Sequence, residues 1–323
     1  MEYPVRSSVI TGFLSQTTDR FHVYNPKRTF EERLALAASI EGMTGVEIVH
    51  PYEVPEPAAL KALLAKHRLS VSAINCNIKA EPEFRNGGPT SPDPAVRAKA
   101  ARFVREAKDY AAAVGADKVT CCPLADGYEF SFGCDYRSAW KRLVETFGEA
   151  AAHRPEIPLF IEYKPSETRG RCFVDNAAKT LCLLNDIGSA RMGVTLDFGH
   201  SMYGRENPAE ALSLLAASRY PCYIHINDND ARWDWDYMVG TKHMLDYVEF
   251  LYYLQEYGYR DFITSDTSPT RWDIAGTFAQ NVRLTNKLWT LVAGLDRKAF
   301  GRLIDGGDYI ATWKFIEKEI FRL

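Results

Sequence analysis

The sequence predicts an α/β fold, a (β/α)₈ TIM barrel, and three observations predict it. Short β-branched runs alternate with longer amphipathic ones eight times along the 323 residues. The short runs are continuously apolar between turn residues, as expected of strands buried on both faces of a parallel sheet. No break in composition divides the chain, and a barrel of this kind accommodates about 250 residues or more in one domain.

In order, the strands are expected at SVITGFLS (8–15), GVEIVH (45–50), SVSAINC (70–76) and KVTCCP (118–123), then at PLFIEYK (158–164), MGVTLDF (192–198), CYIHIND (222–228) and DFITSD (261–266). Helical stretches follow near 30–42, 57–67, 93–114, 136–152, 174–187, 208–218, 241–257 and 274–295. Two segments fall outside this repeat. KAEPEFRNGGPTSPDP (79–94) is rich in Pro, Gly and charge and reads as a long loop after the third strand. Loops of that length in compact domains tend to be functional or mobile. The tail from 297 to Leu323 carries two more helical runs. The expected organisation is a catalytic barrel over 1–296 and a C-terminal helical extension over 297–323.

Composition narrows the function classes. Apolar residues make up 46% and charged ones 25%, the mixture of a soluble globular protein. Thirty-nine Lys and Arg against 42 Asp and Glu leave a net charge of −3 with no basic stripe, which argues against a nucleic-acid partner. No apolar run reaches the roughly 18 residues of a membrane span, and the N-terminus lacks a secretory pattern. Seven scattered cysteines without a C-x-x-C fit reduced, partly buried thiols. A cytoplasmic protein acting on a small molecule is expected.

In such a barrel, active-site groups stand at the C-terminal ends of strands and in the loops that follow. The second strand ends at His50, the fifth at Glu162-Tyr163-Lys164, and the sixth at Asp197-Phe198-Gly199-His200. The seventh ends His225-Ile226-Asn227-Asp228 and the eighth at Asp266. Residues i and i+2 of a strand share a face, so Glu162 pairs with Lys164 and His225 with Asn227. With Glu162 and His225 pointing inward, Asp197 and Asp266 converge on them. Three carboxylates around one point repel unless a cation joins them. Oxygen-rich ligation with one nitrogen suits Mn²⁺ or Mg²⁺, with Co²⁺ also compatible, better than a structural zinc site. A second cluster, Arg232-Trp233-Asp234-Trp235-Asp236, offers two carboxylates that together with His200 and a bridging Asp197 suit a second cation. Two cations on a shared carboxylate can polarise adjacent substrate oxygens. Singly, each residue has a plainer reading, Asp as a helix cap and His as a core residue. Their recurrence at the ends of four successive strands favours the site.

These residues resemble a known family. Glu162-Tyr163-Lys164-Pro165-Ser166-Glu167-Thr168-Arg169-Gly170 resembles the E-P-K-P-N-E-P-R-G segment of xylose isomerase. Asp197-Phe198-Gly199-His200 is similar to its next ligand segment, which has Glu in place of Asp197, and Asp234-Trp235-Asp236 to its W-D-T-D loop. Gly45 to His50 resembles the strand carrying its ring-opening histidine. Asn227 replaces an Asp of xylose isomerase, while Asp197 and His225 as ligands are closer to L-rhamnose isomerase. The chain is identified as a divergent member of the xylose-isomerase-like superfamily.

That resemblance implies an aldose–ketose isomerase working by a metal-assisted 1,2-hydride shift, with two divalent cations per chain. One would sit on Glu162, Asp197, His225 and Asp266, the other on Asp197, His200, Asp234 and Asp236. Lys164 would hydrogen-bond the carbonyl oxygen, His50 would assist ring opening, and Asp234 would help activate the proton-moving water. Glu167, Asn227 and Arg271 are the expected polar contacts of the substrate. Trp233, Trp235, Tyr128, Phe130 and Trp272 are candidate walls for a sugar. The expected substrates are unphosphorylated pentoses, branched pentoses or deoxyhexoses, and the expected assembly is a homodimer or homotetramer. A ketose 3-epimerase using one metal is the nearest alternative, with Asp266 where an epimerase would supply Glu. A lyase-type barrel acting on oxidised glycosides, a metal-dependent endonuclease and a non-catalytic sugar-binding barrel are the others.

Overall fold

The computed structural model describes residues 3–167 and 169–323, so Thr168 of the fifth-strand motif lies outside the described residues. Eight parallel strands close into a barrel: β1 (Ser7–Ile10), β2 (Met43–His50), β3 (Ser70–Cys76), β4 (Val119–Cys121), β5 (Leu159–Glu162), β6 (Met192–Asp197), β7 (Cys222–Ile226) and β8 (Ile263–Ser265). Each pairs with its sequence neighbours, and β1 pairs β8 to close the ring. The surrounding helices are α1 (Phe30–Ser39), α2 (Pro57–His67), α3 (Pro94–Val114), α4 (Tyr136–Ala152), α5 (Ala177–Ile187), α6 (Pro208–Ala216), α7 (Met244–Glu256) and α8 (Ile274–Ala293). All eight strands and eight helices fall where the hydrophobic pattern places them.

Local chemistry starts these helices. Thr29 forms a reciprocal capping box with Glu32 at α1, and Asp93, Asp135, Asn176, Asn207 and Asp273 cap α3, α4, α5, α6 and α8. Each side-chain oxygen meets backbone N–H groups that the first turn leaves unpaired.

Side-chain parity organises the barrel interior. Ala73, Phe160, Tyr223 and Phe262 pack together and plug its N-terminal end. One step up each strand, on the same face, stand Glu47, Asn75, Thr120, Glu162, Thr195, His225 and Thr264. Several of them touch across the lumen: Thr120 bonds Thr195, and Asn75 bonds Glu47. The next inward positions are Lys164, Asp197, Asn227 and Asp266, at the C-terminal mouth. The interior thus changes from apolar to ionisable along the barrel axis, which sets the site at one end.

The 79–94 segment is more ordered than a free loop. It contains a 3₁₀ turn, Pro82–Asn86, and its Thr90 is tied to buried Asp126 through both backbone N–H and hydroxyl, at 2.7 and 2.6 Å. The tail forms α9 (Arg297–Asp305) and α10 (Tyr309–Phe315), which continues as a π turn over Ile316–Phe321. Phe300 packs with Val248 and Tyr252 of α7 and with Val292 and Leu295, and Phe315, Ile316 and Ile320 close over them.

Candidate metal centre and catalytic cleft

Glu162, Asp197, His225 and Asp266 each present a ligand atom, and these atoms all lie within 4.8 Å of one another. Four adjacent strands deliver them, because positions of one parity in β5 to β8 face the lumen at neighbouring heights. Nδ1 of His225 stands 3.3 Å from Glu162 Oε1 and 3.5 Å from Asp266 Oδ2. Glu162, Asp197 and His225 are buried, and Asp266 opens toward the mouth.

Charge crowding is the main property of this cluster. Burial alone raises Glu162, but the His225 charge and hydrogen bond, with His200 behind them, hold its carboxyl down at about 2. Asp197 goes the other way, to about 7: burial dominates, and Asp266, Asp234 and Glu162 add repulsion that His200 only partly offsets. Burial would lower His225, yet Glu47, Glu162 and Asp266 raise it well above the ordinary imidazole range. Three carboxylates and one imidazole converging on a single point form an oxygen-rich donor set that fits a divalent cation.

Asp197 has two further tasks. Its Oδ1 accepts the backbone N–H of His200 at 2.8 Å and so caps the short helix Phe198–Tyr203, and Asn227 donates to both of its oxygens at 3.0 and 2.8 Å. The plain reading of a strand-end Asp as a helix cap holds for a side chain that also belongs to the group that could hold a metal. Asn227, expected to touch substrate, is fully buried and holds Asp197 instead. Gly199 must lack a side chain here, since a Cβ would lie 1.7 Å from Asn227 Oδ1.

Behind the first cluster, His200 has Nδ1 2.9 Å from the Tyr163 carbonyl oxygen and Nε2 3.2 Å from Asp234 Oδ2. Lys164 donates to that same Asp234 oxygen at 2.8 Å and to Glu167 at 2.6 Å. Burial opposes its charge, but Asp234, Glu167 and Asp236 keep its ammonium protonated well above the ordinary lysine range. Asp234 is held low by His200 and Lys164 against the effect of burial, while burial and the charges of Asp234 and Asp266 push Asp236 well up. Among the described residues, Asp234 Oδ1 is buried without a hydrogen-bond partner. An orphaned oxygen, a crowded carboxyl and an imidazole directed by a carbonyl suit a cation at this second position as well. The Lys164 ammonium now bonds the carboxylate such a cation would use.

Asp228 holds the loop that carries Asp234 and Asp236. It is fully buried, pairs backbone to backbone with Tyr237, and accepts from the N–H groups of Asn229, Lys242 and His243 and from the His243 ring. His243 is therefore a strut of this loop.

The remaining expected residues divide. Glu167 lies in a small antiparallel sheet, Gly127–Tyr128 with Gly170–Cys172 and Ser166–Glu167, that joins the loops after β4 and β5. Tyr128 packs there on Phe173 and Tyr136. Trp235 stacks on Tyr237, which meets Trp272, and Trp233 meets Tyr203, an aromatic row beside the mouth. Phe130 is 69% exposed. Arg271 lies beside Tyr24, at the hairpin following β1.

His50 packs against a helix. Glu47 faces the lumen, where it meets His225, so His50 three residues on has the opposite parity. Its ring lies against Tyr110 of α3, centroids 6.1 Å apart, beside Cys76 between barrel and helices. It is 6% exposed, and its ring packs on the side of its strand away from Glu47.

Sequence reasoning also passed over Glu47. It is fully buried, accepts from Asn75 at 2.8 Å and Tyr223 at 2.9 Å, and lies 2.9 Å from His225 Nε2. A carboxylate inside the apolar run GVEIVH was the available signal, because Glu is rarely buried without a partner.

Comparison with known proteins agrees with this architecture. The profile of the xylose isomerase-like TIM barrel matches residues 34–307. Xylose isomerase of Thermus thermophilus is 26% identical over 206 residues, 62% of this chain and 53% of that enzyme. The xylose isomerase of Thermus caldophilus matches to the same extent, so the chain spans about half the length of these relatives. An L-ribulose 3-epimerase superposes with a TM-score of 0.72 at 19% identity, covering 91% of this chain and 97% of its own. A D-tagatose 3-epimerase-like protein superposes with a TM-score of 0.68 at 20% identity, covering 88% and 98%. At such identities the structural likeness is one of fold. With most of its length matched by the family profile, the chain belongs to the xylose isomerase-like TIM barrel family.

Proposed function

We propose that this protein is a divalent-metal-dependent sugar isomerase that interconverts an aldose and a ketose by a 1,2-hydride shift. The observation that carries the reading is the 2.8 Å pairing of Lys164 with Asp234, in the same cleft as the convergent Glu162, Asp197, His225 and Asp266. A cation held by those four residues would polarise two adjacent substrate oxygens and lower the barrier to moving hydride between their carbons. A second would be held by Asp197, His200, Asp234 and Asp236, and Mn²⁺ or Mg²⁺ suits both oxygen-rich sets.

The chain's own groups supply the rest. Lys164 donates a hydrogen bond to the substrate carbonyl oxygen and stabilises the negative charge that grows there. In the aldose-to-ketose direction, hydride leaves C2 for C1 while a proton leaves O2 and reaches O1. Asp234, next to Lys164 and His200, moves that proton through a water. Glu167 keeps the Lys164 ammonium aimed into the cleft. The aromatic row Trp235–Tyr237–Trp272, with Trp233, offers faces for the C–H side of an unphosphorylated pentose, branched pentose or deoxyhexose.

A 3-epimerase reading draws on the L-ribulose 3-epimerase likeness and on the fact that the four-residue set alone would serve a one-metal enzyme. Substrate deuterated at C2 separates the two. Isomerisation with the label retained on carbon supports the hydride shift. Inversion at C3, or washout of label into solvent, overturns it in favour of enediol proton transfer.

A further inference from the structure

We propose that Glu47 is the positioning residue of the metal centre, setting the tautomer and ring plane of His225; the inference rests on the metal-binding reading above. Glu47 stands one layer below the cleft, fully buried, with Oε2 2.9 Å from His225 Nε2. Its carboxylate accepts only, so it takes the Nε2–H of His225. That leaves Nδ1, the nitrogen facing Glu162 and Asp266 at 3.3 and 3.5 Å, to offer its lone pair to a cation.

Glu47 is itself held in place. The Tyr223 hydroxyl donates to Oε2 at 2.9 Å and the Asn75 amide to Oε1 at 2.8 Å, and Tyr223 is in turn bonded to Thr264. The Tyr223 ring also meets the His225 ring edge-on, centroids 5.3 Å apart at 73°. Residues of β2, β3, β7 and β8 thus lock one imidazole in a single orientation. Glu47 touches no open part of the cleft, because His225 lies between them, so it acts on the cation only through that ring.

Calorimetric titration of the full chain with Mn²⁺, for the parent, Glu47→Gln and Glu47→Ala, tests this, with Glu162→Gln as the variant that loses a ligand. Glu47→Ala is expected to fold and to bind Mn²⁺ about 10–100-fold more weakly than the parent. Histidine ¹⁵N spectra of the Mg²⁺-loaded parent are expected to show the Nε2–H tautomer at His225. A folded Glu47→Ala protein with parental Mn²⁺ affinity overturns the assignment, as does an Nδ1–H tautomer in the loaded parent. If Glu47→Ala does not fold, Glu47→Gln and the parental spectrum decide. A parent that binds neither cation removes the metal reading itself, and this inference with it.

Discussion

The Lys164 ammonium and the Asp234 carboxylate form a 2.8 Å ion pair inside the cleft, with both side chains almost fully buried. One group comes from the end of β5 and the other from the loop after β7. A buried pair of this kind is weak evidence for stability, because desolvation offsets much of its attraction, and its place in a cleft marks a candidate functional site. Lys164→Ala and Asp234→Ala are each expected to lower aldose–ketose turnover by about 10²–10⁴-fold. Cation binding at Glu162, Asp197, His225 and Asp266 should survive both changes. Steady-state kinetics together with Mn²⁺ titration check this, and loss of binding in step with loss of turnover would contradict the separate roles.

Metal content should govern stability as well as activity. The three convergent carboxylates repel one another unless protonated or joined by a cation, so chelation should lower the unfolding free energy. Free Mn²⁺ at 100 times its Kd should raise it by about 2.7 kcal/mol for one site. Denaturant titrations with and without the cation measure the difference, and metal analysis gives the stoichiometry. Two cations per chain would mean that Lys164 yields Asp234 to the second.

The loop strut makes a different prediction. Asp228→Ala strands three backbone N–H groups and the His243 ring, a loss on the order of 3 kcal/mol. Because Asp228 anchors the loop bearing Asp234 and Asp236, turnover should fall in the same variant even where it is fully folded. Unfolding curves and kcat at a temperature below the transition separate the two effects.

Asp126 provides a pH signature away from the metal cluster. Burial raises its carboxyl to about 6 from an ordinary 3.8, although hydrogen bonds from Thr90 pull the other way. The folded chain therefore keeps this proton over a window in which the unfolded chain has released it. The group's contribution is fully present below about 3.8 and is lost as the pH rises through about 6. The two-unit shift corresponds to roughly 3 kcal/mol. Relative to the parent, Asp126→Asn should gain stability between pH 4 and pH 7, read by urea unfolding at each pH. A pH-independent difference would refute the assignment.

Gly199→Ala tests the support beneath Asp197. The added methyl would overlap Asn227 Oδ1, so Asn227 must move off the two Asp197 oxygens it now holds. The expected result is a destabilised chain, by about 1–3 kcal/mol, with weakened Mn²⁺ binding. Parental values for both would show that Asn227 does not hold Asp197.

Several features were legible without coordinates because local physics decides them. Apolar runs of four to eight residues bounded by turn residues marked the eight strands, and helical periodicity marked the helices between them. Once a barrel is inferred, strand-end chemistry is local too, so Glu162, Asp197, His225 and Asp266 could be named as one cluster from their positions alone.

Other features depended on which face of each strand meets the lumen. A one-residue change of register exchanges inside and outside, and register is settled by neighbouring strands rather than by the strand's own sequence. The pairing of β2 with β3 shifts between Val46 and Glu47, at the point where the choice matters. Glu47 therefore became the partner of His225, while His50, the more conspicuous residue, was turned onto Tyr110. Asn227 followed the same logic, its amide drawn to Asp197 because β6 and β7 bring the two together. By itself the sequence determined the order of elements and the residue types available at each strand end. Tertiary structure alone decided which of those groups face one another, because convergence across a barrel is set by long-range register and burial.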